Sequence, residues 1–152
     1  MGNYLPESPE VNDVSASCTV SLVNAWDEDE IADLYRAGGW WKDEYKVEEL
    51  GHLIRGSFIF AVASDDRTGR AIGMGRVLSD GVSDGYIQDL VVLPEYRHSG
   101  VGTMIVAELT RRCRERGLSW IGLIAEPGSL PFYLPLGFRE MEGHIPMIYR
   151  GE

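Results

Sequence analysis

The passage from Tyr86 to Gly117 constrains this chain more than any other. An apolar run, Tyr86-Ile87-Gln88-Asp89-Leu90-Val91-Val92-Leu93, leads into the turn Pro94-Glu95-Tyr96 and then into Arg97-His98-Ser99-Gly100-Val101-Gly102. A helical pattern follows without a break to Gly117, with Val101, Ile105 and Leu109 at i, i+4 and i+8 on one face. The order is strand, glycine-bearing turn, helix.

A helix start leaves backbone N–H groups without partners, and its dipole is positive at that end. Gly100 and Gly102 put no Cβ between an anion and those donors, and Arg97 adds a fixed positive charge beside them. Together they predict a cradle for a pyrophosphate. No G-x-x-x-x-G-K-[ST] is present, and no G-x-G-x-x-G directly follows a strand, which excludes a P-loop and the dinucleotide fingerprint.

The spacing Arg97-x-x-Gly100-x-Gly102, with Phe132-Tyr133-x-x-x-Gly137-Phe138 further on, resembles the GCN5-related N-acetyltransferase (GNAT) family over residues 18–150. The resemblance implies an α/β (α+β) fold, a mixed and mostly antiparallel central sheet flanked by about four helices. It implies acetyl-CoA as co-substrate; no metal is expected, since no histidine or cysteine spacing suggests a metal site. Backbone groups around Leu90, Val91 and Val92, where the family's central strand splays from its neighbour, would bind pantetheine and polarise the thioester carbonyl. The loop Arg97, His98, Ser99, Gly100, Val101, Gly102 and Thr103 would hold the pyrophosphate, with Ser129 and Phe132 adding contacts. Tyr133 takes the family's place for the general acid at the leaving sulfur. A homodimer is implied by the resemblance alone.

The chain departs from the family's pattern in two places. Related enzymes often carry a glutamate on the central strand, where this sequence has Gln88. Asp89 beside it is a candidate base, but strand alternation turns it to the other face unless a bulge re-aims it; a water relay is the alternative. The family's asparagine after the fifth strand is replaced by Glu126-Pro127-Gly128-Ser129, in which Ser129 is expected to cap the last helix.

The rest of the chain reads in order. Residues 1–17 hold Pro6, Pro9 and several acids with little apolar periodicity, and are expected to form a flexible tail before a single domain over 18–152. Cys18 to Val23 reads as a strand, and Asp27 as the cap of a helix with Glu30 as its capping-box partner. Gly38-Gly39 ends that helix. The run Trp40-Trp41-Lys42-Asp43-Glu44-Tyr45 lies where the family covers its acceptor, so Trp40, Trp41 and Tyr45 are candidate acceptor contacts, plain packing being the competing reading. A short helix over 47–55, strands over 57–64, 71–78, 86–93 and 119–125, and a final helix over 129–136 follow. A closing hairpin is expected from Phe138 onward through Ile145–Tyr149.

At 152 residues the chain suits one domain. No stretch has the length of a membrane span, and no leader is predicted. Cys18 and Cys113 read as reduced thiols of a cytoplasmic protein. A net charge of −10 argues against nucleic acid as partner and is compatible with a cationic acceptor. The expected activity is acetyl transfer to a primary amine of a small molecule or peptide, directly and within a ternary complex. The alternative is a non-catalytic acyl-CoA-binding sensor.

Overall fold

The computed structural model describes residues 17–151. Its elements are β1 (Cys18–Leu22), α1 (Glu28–Ala37), α2 (Leu50–Gly56), β2 (Ile59–Asp65), β3 (Ala71–Leu78), β4 (Asp84–Val92), α3 (Val101–Glu115), β5 (Trp120–Leu123) and α4 (Leu130–Tyr133). The flexible tail expected at the N-terminus lies outside the described residues except for Ser17, whose hydroxyl donates to Asp66.

The strands form one sheet in the order β1-β2-β3-β4-β5. Successive pairs from β1 to β4 are antiparallel, while β5 joins β4 in parallel after the α3 crossover. α1 and α2 cover one face through Ile31, Leu34 and Ile54 against Phe60, Val62 and Met74. α3 covers the other through Val101, Ile105 and Leu109 against Ala61, Ile72 and Val77. β2 and β3 are thus buried on both faces, which is why they read as nearly continuous apolar runs.

Local chemistry sets the start of α1. Asp27 Oδ1 accepts from the Glu30 N–H at 3.0 Å, as its capping position predicts. Glu30 does not return that bond as a capping box requires. Its Oε2 accepts from the Trp26 indole at 2.8 Å and from the Ala71 N–H at 2.9 Å, so it ties α1 to the start of β3.

Two irregularities of β4 position the site. The ladder with β3 pairs Met74 with Val91 and Arg76 with Gln88, so Gly75 faces both Asp89 and Leu90. This is a β-bulge, and Asp89 sits in the left-handed region at φ 58°. Alternation reverses across it: Ile87 packs with the α3 layer and Val91 with the α1 layer. In addition, the parallel ladder with β5 ends at Ile87–Leu123, so Gln88 to Val92 have no ladder partner on that side. β4 and β5 part there, as the resemblance led us to expect.

The expected closing hairpin is not formed. Residues 139–151 contain no strand, and Ile145 and Tyr149 are 81% and 93% exposed. β5 offers a partner strand only four residues long, and Pro146 has no N–H to give a ladder.

Candidate active site

The parting of β4 and β5 opens a cleft of about 820 Å³. Leu90, Val91 and Val92 form one wall, Arg97, His98, Gly100, Gly102 and Thr103 the end, and Ser129, Phe132 and Tyr133 the opposite wall. Ten of the cofactor-contact candidates are thereby brought together. The other two behave differently. Val101 is 1% exposed, its side chain in the core, so only its backbone can meet a ligand. Ser99 is exposed and its hydroxyl is spent on the Tyr96 carbonyl.

The loop is built for close approach. Gly100 caps α3 with φ 87°, a conformation that costs an L side chain about 1–2 kcal/mol. No side chain caps α3, so its first N–H groups remain open toward the cleft. A Cβ at Gly102 would lie 3.3 Å from the Phe132 ring. Arg97 is anchored by its Nε to the Val92 carbonyl at 2.9 Å and by Nη2 to that of Ala37 at 3.4 Å. Among the described residues His98 joins Asp89 as a non-glycine residue with positive φ, at 61°. Two side chains outside the cleft's chemistry hold the turn: the Tyr96 hydroxyl donates to Asp65 Oδ2 at 2.8 Å. That bond, with the Arg67 N–H, holds the Asp65 carboxyl below its ordinary range and pushes the Tyr96 phenol above its own.

Ser129 does not cap α4 by its side chain. Its hydroxyl donates to the Glu126 carbonyl at 2.6 Å, closing the turn Glu126-Pro127-Gly128-Ser129 on itself.

A smaller cavity of about 200 Å³ adjoins the cleft, lined among others by Trp40, Tyr86, Gln88, Asp89, Glu126 and Tyr133. The bulge turns Asp89 to the α1 face. Its Oδ2 accepts from Tyr35 on α1 at 2.7 Å and from Arg76 Nε at 2.6 Å, and Arg76 also reaches Gln88 Oε1 at 3.2 Å. Burial, then the Asp89 charge, push the Tyr35 phenol far above its usual range, so it stays a donor.

Tyr133 is 9% exposed and wedged edge-on between Phe132 and Phe138, with ring centroids 4.8 and 5.7 Å away. Burial first, then the charge of Glu126, raise its phenol above the ordinary value, so it holds its proton at neutral pH. A further hollow of about 740 Å³ lies between β5 and the C-terminal segment, away from the glycine loop.

Of the three aromatic acceptor candidates, only Trp40 lines these cavities. It stacks edge-on with Tyr35 at 6.3 Å, and a Cβ at Gly38 would come within 2.5 Å of its ring, so glycine there is what lets the indole fold back. Trp41 and Tyr45 pack on each other at 5.7 Å, with Arg36 over Trp41, and line neither cavity. The arginines of α3 and its C-cap lie far from the loop: Arg111 pairs with Glu108, and Arg116, just past the helix, lies over Phe58. Among the described residues no cluster of His, Cys, Asp and Glu is arranged to hold a metal.

Sequence reasoning missed Tyr35, Arg76 and Glu126. Arg76 carried a signal, a lone charge inside Ala71-Ile-Gly-Met-Gly-Arg-Val-Leu78. Glu126 carried another, since it follows the C-terminal end of a parallel strand, where open sheets bind ligands.

Known proteins agree with this architecture. The profile of the acetyltransferase (GNAT) family matches residues 20–138. An uncharacterised N-acetyltransferase, ycf52, of Porphyra purpurea is 29% identical over 129 residues, 85% of this chain and 72% of its own. The glucosamine 6-phosphate N-acetyltransferase of Trypanosoma brucei brucei is 30% identical over 74% of this chain and 68% of its own. Among solved structures, a GNAT-family acetyltransferase of Streptococcus pneumoniae superposes with a TM-score of 0.75 at 25% identity, covering 89% of this chain and 98% of its own. An aminoglycoside N-acetyltransferase solved with CoA has the same fold at a TM-score of 0.69 and 19% identity, covering 89% of this chain and 96% of its own. On the match across residues 20–138 and the shared sheet, the chain belongs to the GNAT acetyltransferase family and is an N-acetyltransferase.

Proposed function

We propose that the protein transfers the acetyl group of acetyl-CoA directly to a primary amine of a small molecule or peptide, both substrates being bound together. One observation carries this reading. The cleft that ends at the glycine loop and the smaller polar cavity meet, and Trp40, Leu90, Glu126 and Tyr133 line both. A donor in one and an acceptor in the other would touch at those four residues, and holding reactants so supplies several kcal/mol of the barrier without a covalent enzyme intermediate.

The residues fit such a donor. The uncapped N–H groups at the start of α3 and the open space at Gly100 suit its pyrophosphate. The unpaired edge of β4 from Leu90 to Val92 offers backbone groups to pantetheine and to the carbonyl oxygen. When bound, acetyl-CoA supplies an acyl group activated as a thioester. Tyr133, protonated at neutral pH, gives its proton to the departing sulfur. Trp40 closes the cavity wall and presents its ring to a cationic acceptor. Asp89 fixes the floor of the acceptor cavity, its carboxylate held by Tyr35 and by Arg76 in a half-buried ion pair. The working form we propose is a homodimer in the cytoplasm; relatives of Arabidopsis thaliana are named chloroplastic, which makes a plastid the rival location.

The test is calorimetric titration with acetyl-CoA, followed by free-thiol detection across a panel of amines, aminosugars and lysine peptides. Tight acetyl-CoA binding with amine-dependent thiol release is expected. Binding without release for every amine would favour the acyl-CoA sensor, for which the Gln88 substitution speaks. No binding at all would overturn the reading.

A further inference from the structure

We propose that Glu126 is the general base of the transfer, the residue that takes the proton from the incoming ammonium. This rests on the reading above and extends it to a group that the family pattern does not supply, since Gln88 stands where a glutamate is common.

The argument is one of place and of pairing. Transfer requires the acceptor nitrogen and the acyl carbon to meet where the two cavities join. Of the four residues shared by both cavities, Trp40 and Leu90 do not titrate. Tyr133 carries a phenol that can give a proton, and Glu126 a carboxylate group that can receive one. Among the described residues no side chain donates to or pairs with the Glu126 carboxylate; only its backbone carbonyl is used, by Ser129. Asp89, the other carboxylate nearby, lines the acceptor cavity alone and is held by Arg76 and Tyr35. The turn that carries Glu126 is closed by two bonds to its carbonyl, from the Ser129 N–H at 3.0 Å and hydroxyl at 2.6 Å, so the backbone is fixed at the wall the two cavities share.

The step balances as follows. The ammonium gives one proton to Glu126, and the freed nitrogen bonds to the acyl carbon. The carbon–sulfur bond breaks, and the sulfur takes the proton of Tyr133. The nitrogen's surplus proton returns to the Tyr133 oxygen, and Glu126 passes its proton to water. The products are amide, thiol and one released proton.

The test compares E126Q and D89N with the unaltered protein on two probes, propylamine and 2,2,2-trifluoroethylamine, the second being already neutral at pH 7. E126Q should lower kcat/KM for propylamine about 100-fold, because general-base assistance is removed. Its loss on trifluoroethylamine should be under about threefold, because no ammonium proton has to be taken. Calorimetry should show acetyl-CoA affinity within about twofold of the unaltered protein. As a readout apart from turnover, carbon NMR of glutamate-labelled protein should show a carboxyl resonance, absent in E126Q, that moves when propylamine is added. Equal losses on both amines, or the selective loss appearing in D89N and not in E126Q, would overturn the assignment. A protein that binds no acetyl-CoA would instead overturn the reading on which it rests.

Discussion

Tyr35 on α1 donates its hydroxyl to Asp89 on β4 across 2.7 Å, and this bond couples the helical layer to the bulge that opens the site. Arg76 shares the same carboxylate oxygen from β3. Three elements therefore meet on one half-buried charge. Tyr35→Phe removes a bond to an ionised group while leaving the ring in place, and is expected to lower unfolding free energy by about 2 kcal/mol. Urea denaturation measures it. A loss below about 0.5 kcal/mol would mean that Arg76 alone satisfies Asp89.

Tyr133→Phe preserves the packing with Phe132 and Phe138 and deletes only the hydroxyl. Turnover should fall about 100-fold, as expected when a general acid is lost, with acetyl-CoA affinity within about twofold. Steady-state thiol release and calorimetry report the two quantities separately. Unchanged turnover would remove Tyr133 from the chemistry.

The two loop glycines should fail differently. Gly100 has open space around it and a left-handed φ, so Gly100→Ala is a conformational substitution, with about 1–2 kcal/mol lost in thermal or urea unfolding. Gly102 has helical backbone and Phe132 close by, so Gly102→Val adds bulk over the open N–H groups. It should weaken acetyl-CoA binding by about tenfold or more, one lost charge-assisted contact being worth about 1.5–3 kcal/mol. Calorimetry showing the same affinity for Gly102→Val would place the phosphates elsewhere.

The Tyr96–Asp65 bond makes stability depend on pH in a defined direction. Asp65 has a lowered folded value, so its contribution is present above the ordinary carboxylate range and is lost as pH falls through the folded value. Tyr96 has a raised one, so its contribution is lost only as pH rises through that value, on the alkaline side of the ordinary phenol range. Between those ranges the contribution is constant. Melting temperature followed from pH 7 downward should fall less steeply for Tyr96→Phe than for the unaltered protein, because the largest cause of the Asp65 shift is gone.

Much of this was legible in the sequence because local rules and tertiary structure agreed. The helix start at Asp27, the β2–β3 turn and the strand-turn-helix at Gly100 all follow from short-range chemistry, and each is found within a few residues of its expected place. What was not legible depended on partners distant in sequence. Alternation alone placed Asp89 on the α3 side; only the mismatch with Gly75, on another strand, turns it toward Tyr35. Glu30 had the spacing of a capping box, yet its carboxylate goes to Ala71, 41 residues away. Trp40 and Trp41 are chemically identical neighbours, and only the fold of the chain at Gly38 decides which faces the cleft. The segment after Phe138 has strand-like composition, but the short edge of β5 gives it nothing to pair with.

The bulge also says which residue of β4 the sheet can do without. Gln88 lies toward α1, Leu90 and Val92 toward α3, and Val91 toward α1 again. Strike out Asp89 and these four would alternate as an uninterrupted strand, each apolar group still on its present side, with Arg76 stripped of its counter-charge. A one-codon deletion thus leads to a smoother ladder and a disarmed pocket. The extra aspartate is surplus only to the alternation of the strand; what it adds is the tie from β4 to Tyr35 and Arg76 at the edge of the cavity it borders.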